Sequence, residues 1–106
     1  QICRAKPQSM SGRIVRWTSR ANRRLDQVGE YIERDNPAAA GRVVARVVSA
    51  VENLAEQPNM GRPGRIKGTR ELVFADIPYI IAYRVTPTDV QVLTVMHAAQ
   101  RWPKKL

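Results

Sequence analysis

Hydrophobic residues in the first half of the chain recur at the spacing of an amphipathic helix. After Thr18 and Ser19, which can both cap a helix, the apolar positions follow one another at intervals of four, three and four residues. These positions are Ala21, Leu25, Val28 and Ile32. They form one stripe and the charged residues between them fall off it, so we predict a helix that runs to about Asp35.

A second helix is predicted directly after the first. Asn36 and Pro37 mark its start, because asparagine caps helices and proline at the first helical position has its backbone angle preset. Apolar residues then repeat every three or four positions until Gln57 and Pro58. They are Ala40, Val44, Val47, Val51 and Leu54, with a second flank at Val43 and Val48. This apolar flank fits either a broader core or a surface that binds a partner. Because the turn between the two helices is short, they must lie side by side and antiparallel.

Runs of β-branched and aromatic residues predict strands on both sides of the helical pair. One run, from Arg13 to Trp17, precedes the first helix. Three more follow the second helix, with connections short enough to force antiparallel hairpins. They cover Arg70 to Phe74, Tyr79 to Val85 and Val90 to His97. The loop from Asn59 to Thr69, rich in glycine and basic residues, leaves room for a short strand at Arg65 to Lys67.

The strand from Tyr79 to Val85 is substantially apolar on both faces, since its side chains alternate across the sheet. We therefore predict that this strand is the central one. The helical hairpin would cover one face of it, and a partner or the C-terminal tail would cover part of the other. The predicted fold class is α+β, in the order β-α-α-β-β-β, with a helical hairpin packed on a small antiparallel sheet. We expect residues 1–12 to be a tail or upstream extension and residues 13–106 to form one domain.

Composition narrows the class of protein. The 106 residues are 43% apolar and 25% charged, as in an ordinary globular domain. No apolar run approaches the ~18 residues that cross a bilayer, and no signal peptide is visible, so we expect a cytoplasmic protein without membrane contact. The single cysteine, Cys3, excludes an internal disulfide and fits a reducing compartment.

The charge balance predicts an acidic partner. Eighteen Lys and Arg residues against nine Asp and Glu residues give a net charge of +9. The glycines do not form a phosphate-binding loop, because no helix follows them and the Lys-Ser/Thr pair is absent. The one histidine, His97, has no second histidine or cysteine near it to build a metal site. We therefore predict neither a cofactor nor a metal.

Several residues have both a functional and a structural interpretation. His97 can act as a general acid or base in RNA cleavage, or simply hydrogen-bond at the end of a strand, and we favour the second role because no paired carboxylate or second base is visible. Trp102 can stack on a base, anchor an interface, or pin the C-terminal tail. The basic residues of the sheet half can bind phosphates or form a solvated surface. They are Arg65, Lys67, Arg70, Arg84 and Arg101.

Short motifs along the chain resemble the RelE/ParE toxin superfamily, and its ParE branch more closely. The motifs are Asp35-Asn36-Pro37, the Pro58 to Gly68 turn region, Arg70-Glu71-Leu72, the strand from Tyr79 to Val85, and the segment from Val95 to Pro103. The resemblance implies a toxin of a type II toxin–antitoxin module, with two helices on a small antiparallel sheet. RelE-like members cut ribosome-bound messenger RNA, whereas ParE-like members inhibit DNA gyrase.

Two departures separate the chain from the nuclease branch. Where nucleases of the family typically carry an arginine aimed at the scissile phosphate, this chain has Ile80. Where they place a basic and aromatic cluster, it has Ala98 and Ala99, and no tyrosine follows Pro103. The resemblance thus implies a toxin without catalytic residues that inhibits gyrase by protein–protein contact. The alternatives are a RelE-like endoribonuclease and a degenerate, non-toxic antitoxin-binding module.

The resemblance also implies partners. We expect a ParD-like antitoxin that is acidic and partly disordered when free, a toxin–antitoxin hetero-oligomer, DNA gyrase as the target, and operator DNA bound only through the antitoxin. The antitoxin would lay an amphipathic helix on the helical hairpin and add an extended segment to a sheet edge. Its candidate contacts are Val43, Val47, Arg70 and Arg84. The candidate target contacts are Arg65, Lys67, Arg101 and Trp102, and the ribonuclease alternative would use His97, Arg70, Arg84 and Arg101.

Overall fold

Two helices and five strands make up the fold. The computed structural model describes residues 13–99. The strands are β1 (Ile14–Trp17), β2 (Arg62–Pro63), β3 (Arg70–Val73), β4 (Tyr79–Val85) and β5 (Asp89–His97). The helices are α1 (Ser19–Glu33) and α2 (Pro37–Asn53). The predicted order is confirmed, with β2 as an additional short strand. The predictions for residues 1–12, Arg101 and Trp102 concern residues outside the described range.

Each helix begins at a side-chain cap that the sequence predicted. The Thr18 hydroxyl accepts a hydrogen bond from the Ala21 N–H at 3.1 Å and donates one to the Val92 carbonyl at 2.9 Å, which ties the start of α1 to β5. The Asn36 side chain accepts from the Ala39 N–H at 3.1 Å at the start of α2. Both helices end a few residues earlier than predicted. Beyond α2, the N–H groups of Leu54 and its successor bond to carbonyls three residues back, which tightens the chain into a turn.

The sheet order is β1-β5-β4-β3-β2, so β4 is the central strand, as predicted. The pairs β2–β3, β3–β4 and β4–β5 are antiparallel, but β1 runs parallel to β5. The expectation of a wholly antiparallel sheet is therefore wrong at this edge. Only the strands joined by tight turns must alternate in direction, and β1 reaches β5 through the helical hairpin and three strands.

A β-bulge interrupts the β4–β5 pairing. Ala82 pairs with Thr94, but the next residue of β4, Tyr83, pairs with Val92, so Leu93 is an extra residue in β5. Val92 and Val95 consequently both face the helices and belong to the main hydrophobic core.

The core lies between the helical hairpin and one face of the sheet. Its largest fully buried apolar and aromatic side chains are Trp17, Leu25, Leu54, Ile81 and Tyr83. The opposite face of β4 and β5 is buried as well, where Ile80 pairs with Met96 and Ala82 with Thr94, outside this core. Both faces of β4 are therefore apolar and buried, as its sequence predicted.

The loop between α2 and β3 is fixed by Tyr83. Its hydroxyl accepts a hydrogen bond from the Gly61 N–H at 2.9 Å and donates one to the Pro58 carbonyl at 2.8 Å. Burial raises the pKa of the Tyr83 phenol, and the Gly61 hydrogen bond and the Arg70 charge partly oppose this rise. The contact is so close that a β-carbon on Gly61 would lie 2.6 Å from the Tyr83 hydroxyl oxygen.

The predicted strand at Arg65 to Lys67 is wrong, because β2 lies earlier, at Arg62–Pro63. Residues 65–68 form bends and a turn instead, and Gly68 has a φ of 83°, in the left-handed region that favours glycine. The Arg65 N–H bonds to the side chain of Glu71 rather than to a neighbouring strand.

We predict that Gly61→Ala lowers the free energy of unfolding by about 1–3 kcal/mol, since the new methyl group overpacks the contact with Tyr83. Urea denaturation monitored by circular dichroism measures the change. The matched control is Gly41→Ala in α2, where a β-carbon meets nothing within 4 Å. There the helix should gain about 0.5–1 kcal/mol, because alanine loses less backbone entropy than glycine. Equal effects of the two substitutions would contradict the close contact.

Candidate functional site

A basic loop, residues 61–69, presents cations at one edge of the sheet. It is organised by the buried carboxylate of Glu71, which is 1% exposed. Glu71 accepts hydrogen bonds from the Arg62 guanidinium at 3.0 and 3.2 Å and from the Arg65 backbone N–H at 2.9 Å. The Arg65 guanidinium lies 3.6 Å from its second oxygen. A buried charge needs such partners, so Glu71 determines where both arginines stand.

The basic loop is also held by its own backbone. The Gly64 N–H donates to the Thr69 carbonyl at 2.8 Å, and the Thr69 N–H donates to the Ile66 carbonyl at 3.1 Å. Lys67 is exposed at the outside of this turn, and the Arg65 side chain is 47% exposed although it pairs with Glu71. Two of the predicted target contacts, Arg65 and Lys67, thus lie together on one ordered surface.

The residues of the ribonuclease alternative are not brought together. Arg70 pairs with Tyr83 on the helix side of the sheet and donates to the Gly61 carbonyl at 2.6 Å. Arg84 follows Tyr83 in β4, so its exposed side chain points to the opposite face. His97 pairs with Tyr79, at the other end of β4. Tyr79 and Tyr83 are four positions apart, which is roughly 13 Å along a strand at ~3.3 Å per residue.

His97 instead lines a cleft, named here the α1 cleft, between the C-terminal half of α1 and the end of the sheet. The cleft has a volume of about 470 Å³. Helix α1 contributes Arg24, Gln27, Val28, Glu30, Tyr31 and Arg34, and the sheet contributes Tyr79 and His97. The rings of Tyr79 and His97 meet edge to face, with 5.3 Å between their centroids. The His97 Nδ1 accepts a hydrogen bond from the Ala99 N–H at 3.1 Å, so the neutral imidazole carries its proton on Nε2.

Hydrogen-bond donors dominate the α1 cleft. Burial raises the pKa of the Tyr79 phenol, and nearby Tyr31 adds to the rise, so Tyr79 stays a neutral donor at pH 7. The Arg24 Nε donates to the Val95 carbonyl at 3.2 Å, which fixes that guanidinium against β5. Sequence reasoning found His97 but missed its neighbours. The available signal was a polar and aromatic stripe at residues 24, 27, 31 and 34, beside the apolar stripe of α1.

A second groove, the α2 groove, lies between α2 and the turn before β4. It has a volume of about 430 Å³ and is lined by Ala39, Arg42, Val43, Arg46, Asp76 and Ile77. Arg46 and Asp76 form two hydrogen bonds, of 3.0 and 3.3 Å, which lower the pKa of the Asp76 carboxyl. The same guanidinium lies over the ring of Phe74, 4.7 Å from its centroid.

The two valines that were expected to contact an antitoxin lie in different environments. Val43 is half-buried and lines the α2 groove. Val47 is fully buried in the core, which corrects the expectation that it contacts a partner. Helical spacing placed both on the apolar side of α2, but only packing decides which of them the sheet covers.

Within residues 13–99, no cluster of His, Cys, Asp and Glu could hold a metal ion. None of the helices in this part of the chain is long and apolar enough to span a membrane.

Comparison with known proteins identifies the family. The family described as the ParE toxin of type II toxin–antitoxin systems, parDE, matches residues 15–102. The chain belongs to the ParE toxin family. Among relatives of this ParE toxin, Y4kP of Sinorhizobium fredii (strain NBRC 101917 / NGR234), named as a candidate toxin, is 65% identical over 97 residues, 92% of this chain and 100% of that protein. Toxin RelE2 of Caulobacter vibrioides is 38% identical over 86 residues, 81% of this chain and 96% of that protein.

Solved structures confirm the fold of this ParE toxin. A chain of the chromosomal ParDE toxin–antitoxin system from P. aeruginosa matches with a TM-score of 0.74 and 25% identity, over 84% of this chain and 98% of that one. A chain of the toxin–antitoxin complex RelBE2 from Mycobacterium tuberculosis matches with a TM-score of 0.62 and 28% identity, over 81% of this chain and 98% of that one. Both branches of the superfamily are thus represented, and the resemblance seen in the sequence is confirmed.

We predict that Glu71→Gln destabilises the ParE toxin by about 2 kcal/mol, because glutamine keeps the size but loses the charge that Arg62 and Arg65 bond to. Thermal and urea unfolding measure the change. The control, Glu33→Gln on the exposed side of α1, should stay within about 0.5 kcal/mol of the original protein. An unchanged stability of Glu71→Gln would mean that the basic loop does not depend on this carboxylate.

Proposed function

We propose that this ParE toxin inhibits DNA gyrase by protein–protein contact, without a catalytic step, and that a ParD-like antitoxin neutralises it. The observation that carries the proposal is the separation of the basic and proton-transferring residues. His97 in β5 pairs with Tyr79, Arg70 in β3 pairs with Tyr83, four positions further along β4, and Arg84 projects from the other face of the sheet.

Cleavage of a phosphodiester needs cations around the scissile phosphate and a general acid or base within ~2.6–3.2 Å of the proton it moves. The three described residues of the ribonuclease alternative do not converge on one point, which supports a function without catalysis. Ile80, at the place of the nuclease arginine, is buried and supplies no charge. These distances favour the binding function over the enzymatic one.

The basic loop is suited to contact with a target protein. Glu71 and the internal hydrogen bonds hold it in one conformation, so binding would cost little further ordering of the backbone. Arg65 and Lys67 are exposed there and can pair with acidic side chains of gyrase. We therefore assign the gyrase contact to this loop.

The antitoxin contact is assigned to the α2 groove. Val43 and Ile77 give it apolar lining, and Arg42 and Arg46 flank it with positive charge, a combination that fits an acidic amphipathic helix. The net charge of +9 would speed the encounter with such a partner. The related structures, one of a ParDE system and one of a RelBE2 complex, support an antitoxin as the partner of this chain.

A sheet edge offers the second antitoxin contact. Strand β2 pairs only with Arg70 and Glu71, so the outer edge of β3 continues past it at Leu72 and Val73. Val73 is 47% exposed. An extended antitoxin segment can add to this edge by backbone hydrogen bonds, with the Arg84 side chain exposed on the neighbouring strand.

We expect the isolated toxin to inhibit supercoiling by purified gyrase. The double variant Arg65→Gln, Lys67→Glu should need a concentration about tenfold higher for half-inhibition, which corresponds to ~1.4 kcal/mol of lost contact energy. The control is Arg42→Gln, an exposed arginine of α2 outside the basic loop, which should inhibit like the original protein.

The ribonuclease alternative is tested beside it in an in vitro translation reaction. The proposal expects intact messenger RNA with the original toxin and with His97→Ala. Cleavage of the transcript that disappears in His97→Ala, with gyrase activity unaffected, would replace the proposed function by the enzymatic one.

We also expect Val43→Asp to weaken the antitoxin complex by about tenfold or more, because a carboxylate would replace an apolar contact and repel an acidic helix. Titration calorimetry with the cognate antitoxin measures the affinity, and unfolding experiments check the fold. Ala45→Asp, on the exposed side of α2, is the control. Equal affinities of both variants and the original toxin would exclude the α2 groove as the contact.

A further inference from the structure

The α1 cleft has no role in the proposed gyrase or antitoxin contacts. It lies beside α1 and the end of the sheet, whereas the basic loop and the α2 groove are lined by other residues. Its lining combines two arginines, two tyrosines and the only histidine of the chain. Hydrogen-bond donors and aromatic rings thus lie together in one cleft, where they can bind a ligand that has both acceptors and a planar ring.

The charges of α1 are divided between its two sides. Arg24 and Arg34 line the α1 cleft, and within residues 13–99 Glu30 is the single carboxylate in its lining. Asp26 and Glu33, together with Glu30, line the groove on the other side of the helix, toward α2. The α1 cleft is therefore the positive side of a helix whose acidic residues mostly face elsewhere, and it favours an anion.

The aromatic side chains give the cleft planar walls. Tyr31 is 66% exposed, so a face of its ring is accessible from solvent. Tyr79 and His97 form the inner wall, perpendicular to each other. Exposed rings beside arginines are the combination with which proteins bind unpaired nucleotides, the rings stacking on the base and the guanidinium binding the phosphate.

We propose that the α1 cleft binds a nucleotide, with its phosphate against Arg24 and Arg34 and its base stacked on Tyr31. The volume of about 470 Å³ falls within the ~300–1,000 Å³ of small-molecule sites. The Tyr79 hydroxyl is a further donor for phosphate or sugar oxygens. The proposal concerns binding and includes no covalent step.

An acidic peptide fits the α1 cleft less well. Peptide grooves hold their ligand by apolar anchor pockets or by a free sheet edge. Among the described residues, Val28 is the one aliphatic residue in the lining, and the strands that contribute Tyr79 and His97 are paired with each other at these residues.

The test is a titration of the isotope-labelled full chain, followed by NMR. Adenosine monophosphate should shift the signals of Tyr31, Arg34 and His97 saturably. Adenosine or inorganic phosphate alone should bind at least about tenfold more weakly, since each provides only one of the two contacts. A short single-stranded oligoribonucleotide, added in a separate arm, distinguishes a free nucleotide from a nucleotide within a chain by which of the two binds more tightly.

Two substitutions on the exposed rim test the residue assignment. Tyr31→Ala and Arg34→Gln should each raise the Kd for adenosine monophosphate by about tenfold. Both residues are exposed, so folding should be unaffected, as urea unfolding will check. The control Arg23→Gln removes another exposed arginine of α1, outside the lining of the cleft, and should leave the Kd unchanged.

Three results would overturn the proposal. They are the absence of saturable shifts with every nucleotide probe, binding of inorganic phosphate as tight as that of adenosine monophosphate, and binding of a glutamate-rich peptide where the nucleotides do not bind. Gyrase inhibition by Tyr31→Ala and Arg34→Gln is measured in parallel. Since these residues lie outside the basic loop, failure of nucleotide binding leaves the gyrase proposal standing, and the reverse also holds.

Discussion

The carboxylate of Glu71 is a charge removed almost entirely from water, and the loop beside it is arranged to satisfy it. A lone carboxylate in this position would cost several kcal/mol, so the chain supplies two arginines and a backbone N–H. Tyr83 then closes the base of the same loop through Gly61 and Pro58. A surface rich in arginine thereby becomes rigid, because its cations are held by a buried acid within the same fold.

Most of the fold was predictable from local sequence patterns. The caps at Thr18 and Asn36, the helical periodicity and the two hairpins after Thr69 all depend on neighbours in sequence, and they were predictable for that reason. The failures have non-local causes. The expected strand at Arg65 to Lys67 does not form, because the Arg65 N–H donates to the Glu71 side chain instead of to a strand. The parallel pairing of β1 depends on β5, a strand more than seventy residues away.

The candidate sites were less predictable than the fold. His97 was recognisable by its chemistry, but Tyr31 and Arg34, which line the same cleft, come from α1 and its C-cap, far from His97 in sequence. Conversely, Arg70 and His97 looked compatible as a catalytic set, but the register pairs them with Tyr83 and Tyr79, four positions apart on β4. Residue types indicate possible chemistry, whereas distances decide which of them can act together.

The extra residue in β5 has an effect that reaches beyond the bulge itself. Side chains alternate between the two faces of a strand, and the extra residue Leu93 shifts this alternation by one position for every residue after it. If the same residues paired without the bulge, Val90 and Val92 would stay on the core face, but Val95 and His97 would face the other side of the sheet. The imidazole therefore lines the α1 cleft because the bulge absorbs one residue of β5, and deletion of Leu93 would remove the bulge while leaving His97 on the side of α1.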